Sequence, residues 1–442
     1  MELGTLKVSE NGRYLLQGDG SPFFYLGDTA WRLLYKLDRA ETDHYLEDRA
    51  AKGFNVIQMV VLDTRFGPNQ DGEHAFHDHD VTWPNEKFFA HLDYVVERCA
   101  ELGMWTGMFL NWGYVVTGMV MDGWEEVEPL VNLDNAHAFG KFLGERYGEK
   151  PVIWVVGGDD VPWGKEAVFA EQVRGIKDGD GGRGLVTYHP RGSGERGFDP
   201  TNHSSTWFHD EDWLDFNMLQ SGHAFGSRNY EMIAHDWNLT PPKPVLDAEP
   251  SYENMPHNLN DGQHRMDDSD VRLGAYWALF AGACGHVYGC NDIFQFWAPG
   301  GEQPTFGARI PWRTALQFSG TFQMRFAKQL FESRPFVDRI PDDSLVTAVD
   351  PEERKGHVCA TRAADGGWAF VYSTRGFSFT VDMEKLSGEA VRAAWFDPRS
   401  GTSEAIGEFA AEGEREFVPP RIGHGYDWVL VLDDVARGFA LP

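Results

Sequence analysis

The chain has 442 residues, with 39 Lys and Arg against 68 Asp and Glu, a formal charge of −29. That balance argues against nucleic acid or an anionic membrane as the main partner, since both reward clustered basic residues. A content of 42% hydrophobic and 14% aromatic residues excludes an acidic disordered chain.

No run of 18 apolar residues occurs, so no transmembrane helix is expected. The start, Met1–Lys7, lacks the charged and apolar regions of a secretory leader. A cytoplasmic location is therefore expected, or secretion if a leader precedes this sequence. Cys99, Cys284, Cys290 and Cys359 form no CxxC pair. They read as buried, reduced thiols.

In chain order, Leu6–Val8 and Tyr14–Gln17 flank Asn11-Gly12, a tight-turn pair, and predict a β-hairpin. From Phe23 the text alternates between strand and helix. Strands are predicted at Phe23–Leu26, Asn55–Leu62, Met104–Leu110, Val152–Val156, Gly184–Tyr188, Phe216–Leu219, Pro244–Glu249 and His286–Gly289. Helical spacing falls at 43–52, 86–102, 135–147, 166–177, 271–283 and 314–332, the first two ending at Gly53 and Gly103. Strands that alternate with helices make a parallel sheet, because each parallel crossover needs a helix-length connection. Eight near-continuous apolar strands suit a (β/α)8 TIM barrel. After about Arg339 short alternating segments and turn clusters take over, which predicts an antiparallel β-sandwich. The expected division is 1–338 for the barrel with its N-terminal hairpin and 339–442 for the sandwich. No low-complexity linker separates the two parts, so close packing is expected.

Barrel active sites lie at the C-terminal strand ends. These supply Asp28 and Trp31 from strand one, Asp63 and Arg65 from strand two, and Asn111 and Trp112 from strand three. Asp159 and Asp160 follow strand four, and His189 follows strand five. Gln220, Ser221 and His223 end strand six, while Asp247, Glu249 and Tyr252 belong to strand seven. His286, Tyr288 and Asn291 come from strand eight. Amides and carboxylates hold sugar hydroxyls and Trp stacks on sugar C–H faces, so this set resembles a carbohydrate site. Glycoside hydrolysis needs two carboxyl groups about the scissile bond. Asp159 and Glu249 fill those slots. Asp160 could serve instead of Asp159, because strand alternation alone does not decide which faces inward.

The motifs Tyr25-Leu26-Gly27-Asp28-Thr29-Ala30-Trp31, Gly53-Phe54-Asn55-Val56-Ile57-Gln58, Trp154-Val155-Val156-Gly157-Gly158-Asp159 and Asp247-Ala248-Glu249-Pro250-Ser251-Tyr252 stand in that order. Together they resemble the apiosidase-like glycoside hydrolases, family 140, over nearly the whole chain. The resemblance implies a TIM barrel followed by a sandwich labelled collagen-binding. It further implies a retaining mechanism with Asp159 as acid/base and Glu249 as nucleophile, and release of apiose from plant glycosides or pectic oligosaccharides. Another furanose, such as arabinofuranose, is the alternative substrate. A non-catalytic carbohydrate- or collagen-binding protein is a weaker one.

The run His74-Ala75-Phe76-His77-Asp78-His79-Asp80 carries metal-binding residue types. It follows a Gly/Pro/Asn-rich stretch and reads as a long active-site loop, so neither a metal nor any other cofactor is expected. The predicted substrate-binding set is Asp28, Trp31, Asp63, Asn111, Trp112, His189, Gln220, His223, Tyr252, His286 and Tyr288. The expected partner is a small oligosaccharide or glycoside.

Overall fold

The structure is a computed structural model that describes residues 3–120, 125–192, 197–350 and 357–442. Met1 and Glu2 of the N-terminal segment lie outside the described residues. Leu6–Val8 pairs antiparallel with Leu15–Gln17, and Pro22–Phe23 adds a third short strand.

Eight parallel strands follow, each with a helix after it. They are β1 Tyr25–Thr29, β2 Val56–Leu62, β3 Trp105–Asn111, β4 Val152–Gly157, β5 Val186–His189, β6 Asn217–Leu219, β7 Val245–Asp247 and β8 Gly285–Tyr288. The helices are α1 Arg39–Ala51, α2 Glu86–Glu101, α3 Ala136–Tyr147, α4 Glu166–Asp180, α5 Ser205–Phe208, α6 Asn229–Trp237, α7 Asp268–Phe280 and α8 Ser319–Glu332. Six strands form one ladder in the order β5-β4-β3-β2-β1-β8, and β6-β7 form a separate parallel pair. Single backbone bonds bridge the two gaps. Asp215 N–H donates to the Val186 carbonyl at 2.9 Å, and Cys284 N–H to the Val245 carbonyl at 2.9 Å. The sheet therefore curls round on itself as a TIM-barrel-like fold. Among the described residues no helix is long and apolar enough to cross a membrane.

The sequence predicts one helix over 314–332, whereas the chain folds as a short Trp312–Ala315 turn and then α8. The Leu316 carbonyl explains the break. It accepts from the side chains of Arg49 and Lys52 on α1 and from Thr321 Oγ1, so it is not free to continue the helical ladder.

From Arg339 the chain is antiparallel. The strands are β9 Arg339–Pro341, β10 Val346–Val349, β11 Cys359–Ala363, β12 Trp368–Ser373, β13 Phe379–Asp382, β14 Ala390–Asp397, β15 Thr402–Ala410, β16 Glu414–Phe417 and β17 Trp428–Asp434. They form a six-stranded sheet, β9-β11-β12-β17-β14-β15, and a three-stranded sheet, β10-β13-β16. Both faces of the large sheet's inner strands are buried, and strand alternation sorts them. Ala369, Val371, Trp395, Leu430 and Leu432 join Phe379, Val381 and Phe417 in a core between the two sheets. Trp368, Phe370, Tyr372, Phe396, Val429 and Val431 face the other way and merge with the barrel's core. Tyr372 stacks on Tyr276 of α7 with centroids 4.9 Å apart, and Phe370 meets Phe331 of α8 at 5.8 Å.

Two buried ion pairs pin this contact. Arg272 reaches Asp427 through Nε at 3.1 Å and Nη2 at 2.8 Å. Arg334 reaches Asp433 through Nε and Nη2, both at 2.7 Å. All four cysteines are free and buried.

Candidate active site

The chain leaves β4 through Gly157, Gly158 and Asp159, whose φ angles are +74°, +138° and +51°. Three positive values in succession turn the backbone sharply. Neither glycine has room for a Cβ. One on Gly157 would lie 2.4 Å from the Tyr188 ring, and one on Gly158 2.9 Å from the Trp112 ring. The Gly-Gly pair thus lets the turn slide between two aromatic rings. Asp159 then occupies the left-handed region, which Asp tolerates better than most residues. As a residue it is exposed. Asp160 goes the other way. It is buried and accepts from Thr117 Oγ1, from Val161 N–H at 2.8 Å and from Trp163 Nε1 at 3.0 Å. The ambiguity between the two aspartates is resolved by this turn: Asp160 is consumed in holding the loop, and Asp159 turns toward Gln220 and Glu249.

Glu249 follows β7 and is only 5% exposed. Two imidazoles face its carboxylate, and His223 alone of the two hydrogen-bonds it. His223 Nε2 lies 3.4 Å from Oε1, and His189 Nε2 lies 3.5 Å from Oε2. The Tyr252 hydroxyl also hydrogen-bonds it. The other nitrogen of His189, Nδ1, accepts the backbone N–H of Asp159 at 3.3 Å. That contact places the imidazole proton on Nε2, facing Glu249. One ring therefore spans the backbone of the first carboxyl residue and the side chain of the second. Burial lowers the His189 pKa to about 4, so the ring is neutral near pH 7.

An aromatic floor lies beneath. Trp31 packs on Phe109 at 4.8 Å and on Trp112 at 5.2 Å, and Trp112 stacks on His189 at 6.3 Å. Trp31 Nε1 donates to the Tyr252 hydroxyl at 3.0 Å. Gln220 hydrogen-bonds the Asp159 carboxyl. Asp63 clasps Arg65, with Nε at 3.2 Å and Nη2 at 3.0 Å, and accepts from the Tyr114 hydroxyl at 2.6 Å. The Arg65 charge acts on Asp159 across this corner.

The two carboxyls are pushed in opposite directions. Asp159 is raised by burial and then by the negative charge of Glu249, against Arg65 and Gln220. Because Asp159 is exposed as a residue, the repulsion from Glu249 is the firmer of the two causes. For Glu249 burial again acts upward. The hydrogen bond from His223, the nearby imidazoles and Tyr252 overcome it, leaving this carboxyl below its ordinary value. One proton is thereby kept on Asp159 while Glu249 is ionised.

The structure brings together Trp31, Asp63, Trp112, Asp159, His189, Gln220, His223, Glu249 and Tyr252. It leaves four predicted residues out of the site. Asp28 lies on the outer face of β1, fully buried, where it accepts from Tyr45 Oη at 2.6 Å and Arg49 Nη1 at 3.3 Å of α1. His286 and Tyr288 lie on the outer face of β8. The residue between them, Val287, faces inward against Gly27, and Tyr288 Oη donates to Glu253 Oε2 at 2.6 Å. In a strand buried on both faces, polarity alone does not reveal which side a residue takes. Asn111 lies deep in the fold, its Oδ1 held by Gln172 of α4 at 2.6 Å and its Nδ2 on the Trp112 carbonyl at 2.9 Å.

Phe109 and Tyr114 were missed by sequence reading. Phe109 sits within a uniformly apolar strand, and Tyr114 stands three residues beyond its end, with no motif to mark it. The His74–Asp80 loop lies against Asp63 and Thr64, where His74 and His79 line a shallow depression beside the Arg65 corner.

A curled parallel sheet whose fourth and seventh strands end in a carboxylate pair, over an aromatic floor, defines a glycoside hydrolase. The chain belongs to the apiosidase-like family. The model of the "Apiosidase-like, catalytic domain" matches residues 9–338. Residues 340–433 match a second model, described as the "Putative collagen-binding domain of a collagenase". One solved structure named as a glycoside hydrolase is 36% identical, with 98% of this chain and 97% of that chain aligned and a TM-score of 0.89. A structure from Bacteroides vulgatus described as a family 5 glycoside hydrolase is 35% identical over 99% of this chain and 96% of that one, also at 0.89. A third structure from the same species, 15% identical over 97% of this chain and 82% of that one at a TM-score of 0.67, shares the fold. No curated protein matches the sequence.

Proposed function

We propose that this protein is a retaining glycosidase that releases apiose, a branched furanose, from plant glycosides or pectic oligosaccharides. The observation that carries the reading is the Asp159/Glu249 pair, with its two pKa values displaced in opposite directions. Glu249, ionised and oriented by His189, His223 and Tyr252, attacks the anomeric carbon. Asp159 donates its proton to the leaving oxygen. Ester formation removes the charge of Glu249 and with it the repulsion on Asp159. The pKa of Asp159 falls, and the same group now takes a proton from the incoming water. Double displacement of this kind calls for carboxyls about 5–5.5 Å apart. The C-terminal sheets we read as support for the barrel, because the large sheet spends one face on the barrel and the other on its partner sheet.

The test is a screen of nitrophenyl furanosides and natural apiosides, with the released sugar identified and its first-formed anomer read by NMR. Apiose released with retained configuration is expected. Arabinofuranose release would replace the substrate, and an inverted product would replace the mechanism.

A further inference from the structure

The segment returning from β5 runs beside β6. Ser204 N–H donates to the Met218 carbonyl at 2.9 Å and Gln220 N–H to the Asn202 carbonyl at 3.0 Å. Asn202 Nδ2 returns a bond to the Gln220 carbonyl at 3.0 Å. Between these two anchors, His203 turns its ring outward to α6. There it meets His235 and Asp236. Asp236 Oδ1 receives His203 Nδ1 at 3.0 Å, His235 Nδ1 at 2.9 Å and Ser205 Oγ at 2.8 Å. The three donor atoms of this group lie within 4.8 Å of one another.

The distribution of partners is lopsided. One carboxylate oxygen takes three donors. The other, Oδ2, is buried without any, as is Nε2 of His203. The side chains of His203 and Asp236 are fully buried, whereas His235 is 39% exposed. The site is therefore enclosed on the protein side and open at His235. The Phe198 ring stacks on His235 at 4.0 Å and tilts over His203 at 4.8 Å.

We propose that His203, His235 and Asp236 form a structural site for a divalent cation of the zinc type. Two imidazole nitrogens and one carboxylate are a donor set that such ions accept, with a further position left to water on the His235 side. Each imidazole would turn an Nδ1 lone pair to the metal, while Asp236 supplies the negative charge. Ser205 Oγ keeps its bond to the carboxylate and orients it. The cation would tie α6 to the segment that carries Asn202. Through the Asn202–Gln220 bonds it would steady the side chain that touches Asp159. Its role is mechanical, and it stands whether or not the sugar proposed above is correct.

The experiment uses the full chain, stripped with a chelator and titrated with Zn2+ by calorimetry, with Co2+ absorption as a second probe. One equivalent of Zn2+ should bind and raise Tm. His235→Ala, at a partly exposed position, should fold as judged by circular dichroism and bind at least about tenfold more weakly, without the Co2+ bands. His74→Ala, on the loop beside the active site, should bind as wild type does. If the stripped wild type takes up no Zn2+, or if His235→Ala binds it equally, the cluster is a hydrogen-bonded triad and the proposal fails. Loss of binding in His74→Ala with His235→Ala unaffected would move the site to the loop and equally overturn it.

Discussion

Two regions of this molecule are built around carboxylates, and they treat them differently. At the seam between the barrel and the C-terminal sheets, Asp427 and Asp433 each meet an arginine through two nitrogens. At the barrel mouth, Asp159 and Glu249 face each other and two imidazoles. The nearest guanidinium, Arg65, is already clasped by Asp63. Glu249 is buried much as Asp427 and Asp433 are, so burial alone does not make a site. What differs is the partner: the seam cancels each charge where it stands, and the mouth withholds a free cation so that two acids must divide one proton.

Breaking each region in turn should expose that difference. The largest effect belongs to the mouth. Glu249→Ala removes the attacking group and should lower kcat on the order of 10⁴-fold or more, with little loss of Tm. Asp159→Ala should cost about 10²–10⁴-fold on a natural glycoside. It should cost far less on a nitrophenyl glycoside, whose leaving group needs little acid help. Steady-state kinetics on both substrate types checks the pair. Equal losses on the two would remove Asp159 from the acid role.

At the seam the loss should appear as stability. Arg334→Met removes the bidentate partner of Asp433 and leaves it Arg392 alone, at 2.9 Å, which should cost about 1.5–3 kcal/mol in urea unfolding. Adding Asp433→Leu should recover only part of that, because Arg392 then loses its carboxylate. The folded fraction should keep wild-type KM. A shift in KM at full folding would show that the seam communicates with the site.

These regions were not equally legible in the sequence. The alternation of strand and helix, the change of period near Arg339 and the order of the strand-end motifs gave the architecture, because each is local. Gly157-Gly158 stood in the motif after β4, but the sharp turn it permits, wedged between two rings, shows only in the fold. The facing of polar residues was not legible. Asp28 and His286 stand in strands buried on both sides, where outward and inward positions look alike. The true neighbours of Asp28, Tyr45 and Arg49 on a helix, are set by packing over long sequence distances. The ion pairs of the seam were invisible for the same reason: Arg334 and Asp433 are 99 residues apart.

The pH dependence sharpens the comparison further. The mouth should give a bell-shaped kcat/KM. Activity is lost on the acid side as Glu249, held below its ordinary value, takes up a proton. On the alkaline side it is lost as Asp159, held above its ordinary value, gives one up. For stability the sign at Asp159 is adverse. Its raised pKa means the fold prefers the protonated form, so stability declines as pH rises from the ordinary value of 3.8 toward the raised one. Asp159→Asn should remove that slope, and it should be inactive yet no less stable than wild type at neutral pH. Urea midpoints across pH decide this. A variant less stable than wild type at every pH would mean Asp159 contributes to the fold as the seam carboxylates do.

The smallest effect separates two histidines at the ends of adjacent layers. His189 and His286 are both fully buried, and burial lowers both, His286 to about 3. His189 has two tasks, accepting from Asp159 N–H and facing Glu249. Neither ring nitrogen of His286 has a hydrogen-bond partner among the described residues. A buried polar ring with no partner gains nothing from its polarity. His286→Leu should therefore change stability near pH 7 by no more than about 1 kcal/mol and leave turnover intact. It should also flatten one acid-side slope. An unfolded histidine binds a proton below 6.5 and the folded one does not until about 3, so wild type loses stability as pH falls through that window. His189→Leu should flatten a similar slope but cost at least about tenfold in kcat, because the spacer between the two carboxyl residues is gone. Loss of turnover in His286→Leu would place that ring in the site after all, and an active His189→Leu would show that Glu249 needs only His223 and Tyr252.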